Sequence, residues 1–321
     1  MDEDLLERLR LTGIIPVISA GSVEDFAQAA GAVKAGGLNC AEITLRTPCA
    51  LEALGEIVRR FPDMLVGAGT VINPSQAEEA VNAGAKFIVS PGYNGDTVVW
   101  CAARGVPVIP GCATPGEVQA AVNQGLKAVK IFPAEQVGGV PYIKSISAPY
   151  PGVRFMATGG VNAANMGQYL AFDKMLCIGG SWFVSRGMID AHEFGKITEL
   201  TRQAVGVMLG VKLRHIGINE TSGENAEKTA GLFSLLTGGE LLPNSTAIFV
   251  GKEVEVMRTP YLGDHGHIAL ETNDVERAVY FFRQQGFAFN ESTRSFDEKG
   301  ALRTIYFNDF ISGFAVHLVQ K

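Results

Sequence analysis

The sequence has no uninterrupted apolar run near the ~18 residues that a membrane-crossing helix needs, so no membrane partner is expected. It also lacks an excess of positive charge. Lys and Arg number 27 against 33 Asp and Glu, a formal net charge of −6, which removes the bulk electrostatic reason to expect nucleic acid or an anionic surface as a ligand. The amino terminus, MDEDLLERLR, has neither the basic start nor the continuous apolar stretch of a secretory signal. The five cysteines (Cys40, Cys49, Cys101, Cys112, Cys177) are odd in number and have no C-x-x-C spacing. Reduced thiols in a cytoplasmic protein fit that usage. Charged residues make up only 19% of the chain and hydrophobic ones 47%, a composition suited to a large globular core and not to a disordered chain.

What the chain does have, from residue 14 to about 206, is a regular alternation of short apolar runs with longer amphipathic ones. The runs are IIPVIS (14–19), CAEITL (40–45), MLVGAG (64–69), KFIVS (86–90), VPVIP (106–110), AVKIF (128–132), VRFMA (153–157) and KMLCIG (174–179). Helical segments are expected between them at 23–35, 50–61, 74–83, 97–104 and 115–124. Ser22, Asn73, Thr114 and Asn162 read as N-caps, and Pro74 and Pro115 suit a first helical turn. Eight βα units in about 200 residues predict a (β/α)8 TIM barrel at 1–209; an open doubly wound sheet is the alternative. After Leu209 the pattern changes. LRHIGIN is echoed by HGHIALE, LLTGGEL by FRQQGFAF, and VGKEVEVM by SGFAVHLV. A repeat of roughly 50 residues must bury its sheet against its twin, which predicts a smaller α+β domain of paired βαβββ modules at 210–321.

In a barrel of this kind the chemistry sits at the C-terminal ends of the strands. The second strand places Glu42, Thr44 and Arg46 on one face by its period of two. They point inward either as an internal Glu42–Arg46 ion pair or as ligand-binding groups. The third, fourth and fifth strands end in GAGTV with Thr70, SPG with Ser90 and Pro91, and PGCATPGE. Two Gly-Gly steps, ATGGVN (157–162) and IGGSWF (178–183), lead toward helices and suit phosphate, which backbone N–H groups and a helix dipole can hold. Lys130 lies in the apolar run AVKIFPAE. Burial favours the neutral amine, which attacks a carbonyl to form a Schiff base; a lysine reaching to the rim or paired with Glu42 is the plain structural alternative.

In their order and spacing, EITLRT, GAGTV, SPG, PGCATPGE, VKIFPAE, ATGGVN and GGSWF resemble the 2-keto-3-deoxy-6-phosphogluconate (KDPG)/4-hydroxy-2-oxoglutarate (KHG) aldolases over residues 5–206. The resemblance implies a class I, Schiff-base aldehyde-lyase on a (β/α)8 barrel. It would be a homotrimer needing no cofactor, cleaving KDPG to pyruvate and glyceraldehyde 3-phosphate and KHG to pyruvate and glyoxylate. By position, Lys130 would carry the Schiff base and Glu42 the proton. Arg46 and Thr70 would hold the pyruvate carboxylate, Pro91 and Phe132 would shape the pocket, and Thr158, Gly159, Gly160 and Ser181 would hold the phosphate. The first strand ends VISAGS, where many members carry a basic residue. A galactonate-derived substrate and a non-catalytic sugar-phosphate binder are the alternatives.

The C-terminal repeat resembles the vicinal oxygen chelate (glyoxalase/bleomycin-resistance) superfamily, in pattern more than in motif. That resemblance implies a divalent metal held from the first and last strands of each module, here at His215, Glu255, His267 and His317. The alternative is a structural or oligomerising domain whose strand histidines are core residues.

Overall fold

The computed structural model describes residues 3–321, and its contacts divide the chain after Met208 into two compact units. Residues 1 and 2, with which the expected barrel domain begins, lie outside the described residues. Among the described residues no helix is long and apolar enough to cross a membrane.

The first unit contains β1 (Ile14–Ile18), β2 (Cys40–Thr44), β3 (Leu65–Gly69), β4 (Ile88–Val89), β5 (Val108–Ile109), β6 (Gly111–Cys112), β7 (Ala128–Ile131), β8 (Arg154–Thr158) and β9 (Met175–Gly180). The paired neighbours run parallel in the order β5-β4-β3-β2-β1-β9-β8-β7-β6. β5 and β6 stand at opposite ends of that order, yet only Pro110 separates them in the chain. The sheet therefore returns on itself as a nearly closed TIM-like barrel, and the doubly wound alternative falls. Proline has no N–H to give to a ladder, so β5 stops before Pro110 and a further short strand, β6, forms beyond the end of the fifth run. The eight expected runs thus become nine strands.

The helices form where the sequence places their starts. Ser22 accepts a bond from Asp25 N at 3.1 Å, Asn73 from Gln76 N at 2.9 Å and Thr114 from Glu117 N at 3.4 Å. Asn162 is a correction. Its side chain accepts from Ala164 N in a local turn, and the next helix starts only at Met166, with Asn165 at its cap. The helix Glu3–Thr12 buries Leu5, Leu6 and Leu9 against Ile15, Cys40, Leu65, Ala128 and Cys177. Cys40, Leu65 and Ala128 are the first residues of their strands, so this helix closes the N-terminal end of the barrel and leaves the opposite end for ligands.

The second unit contains β10 (Lys212–Asn219), β11 (Leu241–Pro243), β12 (Ala247–Val250), β13 (Val254–Met257), β14 (Gly266–Thr272), β15 (Phe289–Phe296), β16 (Leu302–Phe307) and β17 (Phe314–Gln320). Helices Gly223–Thr237 and Val275–Gln284 follow β10 and β14, so each half is β-α-β-β-β. The eight strands form one sheet in the order β11-β12-β13-β10-β14-β17-β16-β15, the halves meeting through the antiparallel β10–β14 pair. Under the first helix Ala226 and Ala230 pack on Ile248, Val250 and Val256.

Candidate active site

Lys130 is the third residue of β7, paired in register with Gly111 across the Pro110 break and with Met156 on β8. Its side chain is only 6% exposed, so it does not reach out to the rim. The Nζ lies 4.0 Å from Oε1 of Glu42, itself 2% exposed, and 5.1 Å from the centre of the Phe132 ring. Glu42 Oε2 is buried without a hydrogen-bond partner. A buried carboxylate oxygen left unpaired is costly unless a ligand or a proton completes it. Cys112, on the neighbouring β6, does not compete as a nucleophile, because burial pushes its thiol up to about 12.

Glu42 fits where it does because one residue beside it, Gly69, has no side chain. In register it faces Val17 and Gly67, and the next glycine along β3, Gly69, lies under its carboxylate. Thr44 donates to Ile18 O at 3.0 Å and ties the ends of β1 and β2 together.

Arg46 departs from the expected strand face. β2 ends at Thr44, and Arg46 lies beyond it in an exposed turn, its Nε donating to Thr70 Oγ1 at 3.1 Å. No Glu42–Arg46 ion pair forms, since Glu42 faces Lys130 instead. Thr70 has φ 62, a left-handed conformation that is rare for a β-branched residue. The strain turns its hydroxyl toward Arg46, and together they form a positive, hydrogen-bonding corner at the end of β3. Pro91 and Phe132 are half-buried at the ends of β4 and β7. Pro91 O lies against Gly111, where a Cβ would come within 2.1 Å of it.

The two Gly-Gly steps differ from each other. Thr158 ends β8, and Gly159 and Gly160 follow with φ 99 and 82, conformations open to glycine. Thr158 Oγ1 is buried with no partner. Gly179 and Gly180, in contrast, lie inside β9, and Ser181 is the first exposed residue past its end. The helices that follow, Met166–Leu170 and Arg186–Asp190, have five residues each and begin several residues later. The expected helix-dipole contribution is therefore corrected: the donors the two loops offer are backbone N–H groups and the hydroxyls of Thr158 and Ser181.

No sequence pattern marks what braces this loop. Ala134 N donates to Thr158 O at 2.8 Å and Glu135 N to Gly159 O at 3.0 Å. The Glu135 carboxylate accepts from the hydroxyl of Tyr169, which is 1% exposed and whose pKa is raised by burial and by that carboxylate. Glu135 stood in a quoted motif without a role, and Tyr169 carries no pattern that separates it from a core aromatic.

In the second unit the four central strands of the sheet each contribute one of the expected ligand residues. Glu255 is on β13, His215 on β10, His267 on β14 and His317 on β17. The Nε2 atoms of His215 and His267 are 3.1 Å apart, and each is 3.1 Å from Glu255 Oε2. His317 joins the two other histidines within 4.8 Å. Both of its ring nitrogens are buried without partners, and Tyr306 stacks on its ring at 4.5 Å. Glycine at 217 leaves room for the His267 ring, which would lie 2.0 Å from a Cβ there.

Residues 5–200 match the family model described as KDPG and KHG aldolase. The 2-dehydro-3-deoxy-phosphogluconate aldolase of Treponema pallidum is 43% identical over 208 residues, 64% of this chain and 98% of that one. The KHG/KDPG aldolase of Escherichia coli is 43% identical over 201 residues, 62% of this chain and 94% of that one. Among solved structures, a KDPG aldolase from Legionella pneumophila with pyruvate captured as a covalent carbinolamine superposes with a TM-score of 0.60 at 40% identity. The superposition covers 62% of this chain and 97% of that one.

Proposed function

Because the chain belongs to the KDPG and KHG aldolase family, we propose that it cleaves KDPG to pyruvate and glyceraldehyde 3-phosphate, and KHG to pyruvate and glyoxylate, through a Schiff base on Lys130. The observation that carries this reading is the buried Lys130 with Glu42 Oε1 4.0 Å from its Nζ. The neutral amine adds to the C2 carbonyl of the substrate. The resulting carbinolamine loses its hydroxyl as water and becomes an iminium. As the C3–C4 bond breaks, its electron pair flows into the iminium to give an enamine, and the C4 hydroxyl proton leaves to Glu42 while the aldehyde departs. The enamine takes a proton at C3, and water releases pyruvate from the lysine. A separation of 4.0 Å is too long for a direct hydrogen bond. Glu42 thus reaches the reacting atoms through a third oxygen, either a water or the carbinolamine hydroxyl.

Arg46 and Thr70 hold the pyruvate carboxylate, Pro91 and Phe132 shape the pocket beside the lysine, and Thr158, Gly159, Gly160 and Ser181 hold the phosphate. The iminium formed on Lys130 is the electron sink, so the barrel chemistry calls for no cofactor. A homotrimer and a cytoplasmic location accompany this reading on the family resemblance. The relatives are named as KDPG or KHG aldolases, which favours neither the galactonate-derived substrate nor the non-catalytic binder. The test is borohydride reduction in the presence of pyruvate followed by peptide mass mapping. A stable adduct on the Lys130 peptide is expected, and an unmodified peptide overturns the assignment.

For residues 210–321, the proposed vicinal-oxygen-chelate-like domain, a second reading rests on a different observation. We propose that His215, Glu255, His267 and His317 hold a divalent cation. Three imidazoles and one carboxylate suit zinc or a first-row transition ion, and partnerless nitrogens buried on His317 and His267 fit a ligand set better than a hydrogen-bonded core. Such a cation, when bound, polarises an oxygen ligand. Elemental analysis of the purified chain tests this. Near one equivalent supports it, and less than about a tenth of an equivalent speaks for a purely structural domain.

A further inference from the structure

We infer that Arg186 is the cation that neutralises the substrate phosphate and so sets the preference for phosphorylated over unphosphorylated substrates, an inference that rests on the aldolase reading above. β8, β9 and β1 are consecutive in the barrel, so the loops leaving them share one sector of the rim. These loops, residues 159–165, 181–185 and 19–22, contain no lysine or arginine. Backbone N–H groups and the hydroxyls of Thr158 and Ser181 can bond a phosphate, but they bring no full positive charge to a dianion.

Arg186 follows the loop after β9 directly, as the first residue of its helix. Its Nη2 reaches the loop after β1, 2.7 Å from where a Cβ on Gly21 would stand, with Cζ at 3.7 Å. Glycine at 21 is what gives the guanidinium this place. Nε donates to Asp190 Oδ1 at 2.7 Å, which fixes one edge of the planar group and leaves the Nη edge toward the rim. The side chain is 46% exposed, open to an arriving anion. The first strand's loop carries no basic side chain of its own, and the charge is delivered there from the end of the barrel sequence instead. Guanidinium suits the task because two parallel N–H donors match two phosphate oxygens.

Steady-state kinetics on the full chain with KDPG and with KHG, which has no phosphate, tests the assignment. In Arg186→Ala the ratio of kcat/KM for KDPG to that for KHG falls about tenfold or more, chiefly through the KM for KDPG. Arg186→Lys recovers part of the ratio. Because the side chain is half-exposed, added salt raises the wild-type KM for KDPG and has less effect in Arg186→Ala. An unchanged ratio, or an equal fall for both substrates as a purely structural role would give, overturns the inference. Failure of the aldolase reading shows separately, as a wild-type chain that pyruvate and borohydride do not label on Lys130.

Discussion

A Cβ placed on Gly69 would lie 2.1 Å from Oε1 of Glu42 and 2.6 Å from its Cγ. The proposed proton carrier therefore occupies space that any other residue at position 69 would claim. Gly69 does not have a positive φ, so the backbone itself accepts alanine and the nearest conflict is with Glu42. Gly69→Ala is expected to lower kcat for KDPG by about 100-fold or more, in the range of losing a general acid–base group. Glu42→Gln should do the same. A kcat within threefold of wild type in folded Gly69→Ala would show that the Glu42 carboxylate does not need this position.

Tyr169→Phe removes one buried hydroxyl and leaves the ring. Glu135 is exposed and water can take the place of the lost bond, so the cost in stability should be about 1 kcal/mol. The loop Thr158–Gly159–Gly160 loses its brace, and the KM for KDPG is expected to rise several-fold more than the KM for KHG. An equal rise for both substrates would mean that the Glu135–Tyr169 bond supports the barrel and not the phosphate loop.

The second unit should be acid-labile when metal-free. Burial, reinforced by His267 and His215, lowers the His317 pKa from 6.5 to about 3. Burial pushes Glu255 up, but hydrogen bonds from His215 and His267 outweigh it and bring the carboxyl from 4.5 to about 2. In both cases the unfolded chain takes its proton at a higher pH than the folded one. The stability that these two groups contribute is fully present above about 6.5, begins to fall as pH drops below that value, falls further below 4.5 and is gone by about 2. Both tryptophans, Trp100 and Trp182, and four of the seven tyrosines precede residue 209, so urea titrations followed by amide hydrogen exchange of peptides from 210–321 report on this unit. His317→Phe should flatten the profile between pH 6.5 and 4.5. A flat wild-type profile in that window would contradict a neutral His317.

Gly217→Ala sets a methyl group into the His267 ring. The ring must turn, and the 3.1 Å contacts from its Nε2 to His215 and Glu255 are lost. Metal retained after dialysis is expected to fall at least tenfold, as for loss of a ligand or its support. Unchanged retention would remove His267 from the ligand set.

The barrel was legible because its signals are local. Apolar runs, N-caps such as Ser22 and Asn73, and glycines at helix ends each act within a few residues of themselves. Lys130 stood out because a lone charge in a buried strand has few uses. What escaped depends on distance in space. Arg46 follows the period of β2 in sequence, yet the strand ends two residues earlier, where Thr44 bonds to Ile18 O. The Glu135–Tyr169 bond joins residues 34 apart, and Arg186 meets Gly21 from the far end of the barrel sequence. The histidines of the second unit were placed by aligning one half on the other. The structure brings those three histidines within 4.8 Å of one another, because a repeat converts remote positions into equivalent ones.

The break at Pro110 has a mechanical consequence. The ring is closed through β4, β5 and β6, strands of two residues each, and only two residue pairs join β5 to β4 and two join β6 to β7. One of those four pairs is Gly111 with Lys130. The proposed Schiff-base lysine thus lies on a strand held firmly on one side, by four pairs to β8, and lightly on the other, by two pairs to β6, so a small movement of β6 opens space beside its nitrogen without disturbing the longer strands β1, β2 and β3. Amide hydrogen exchange should map this hinge line, with the amides of Ser90, Lys130 and Phe132 opening before that of Ile43.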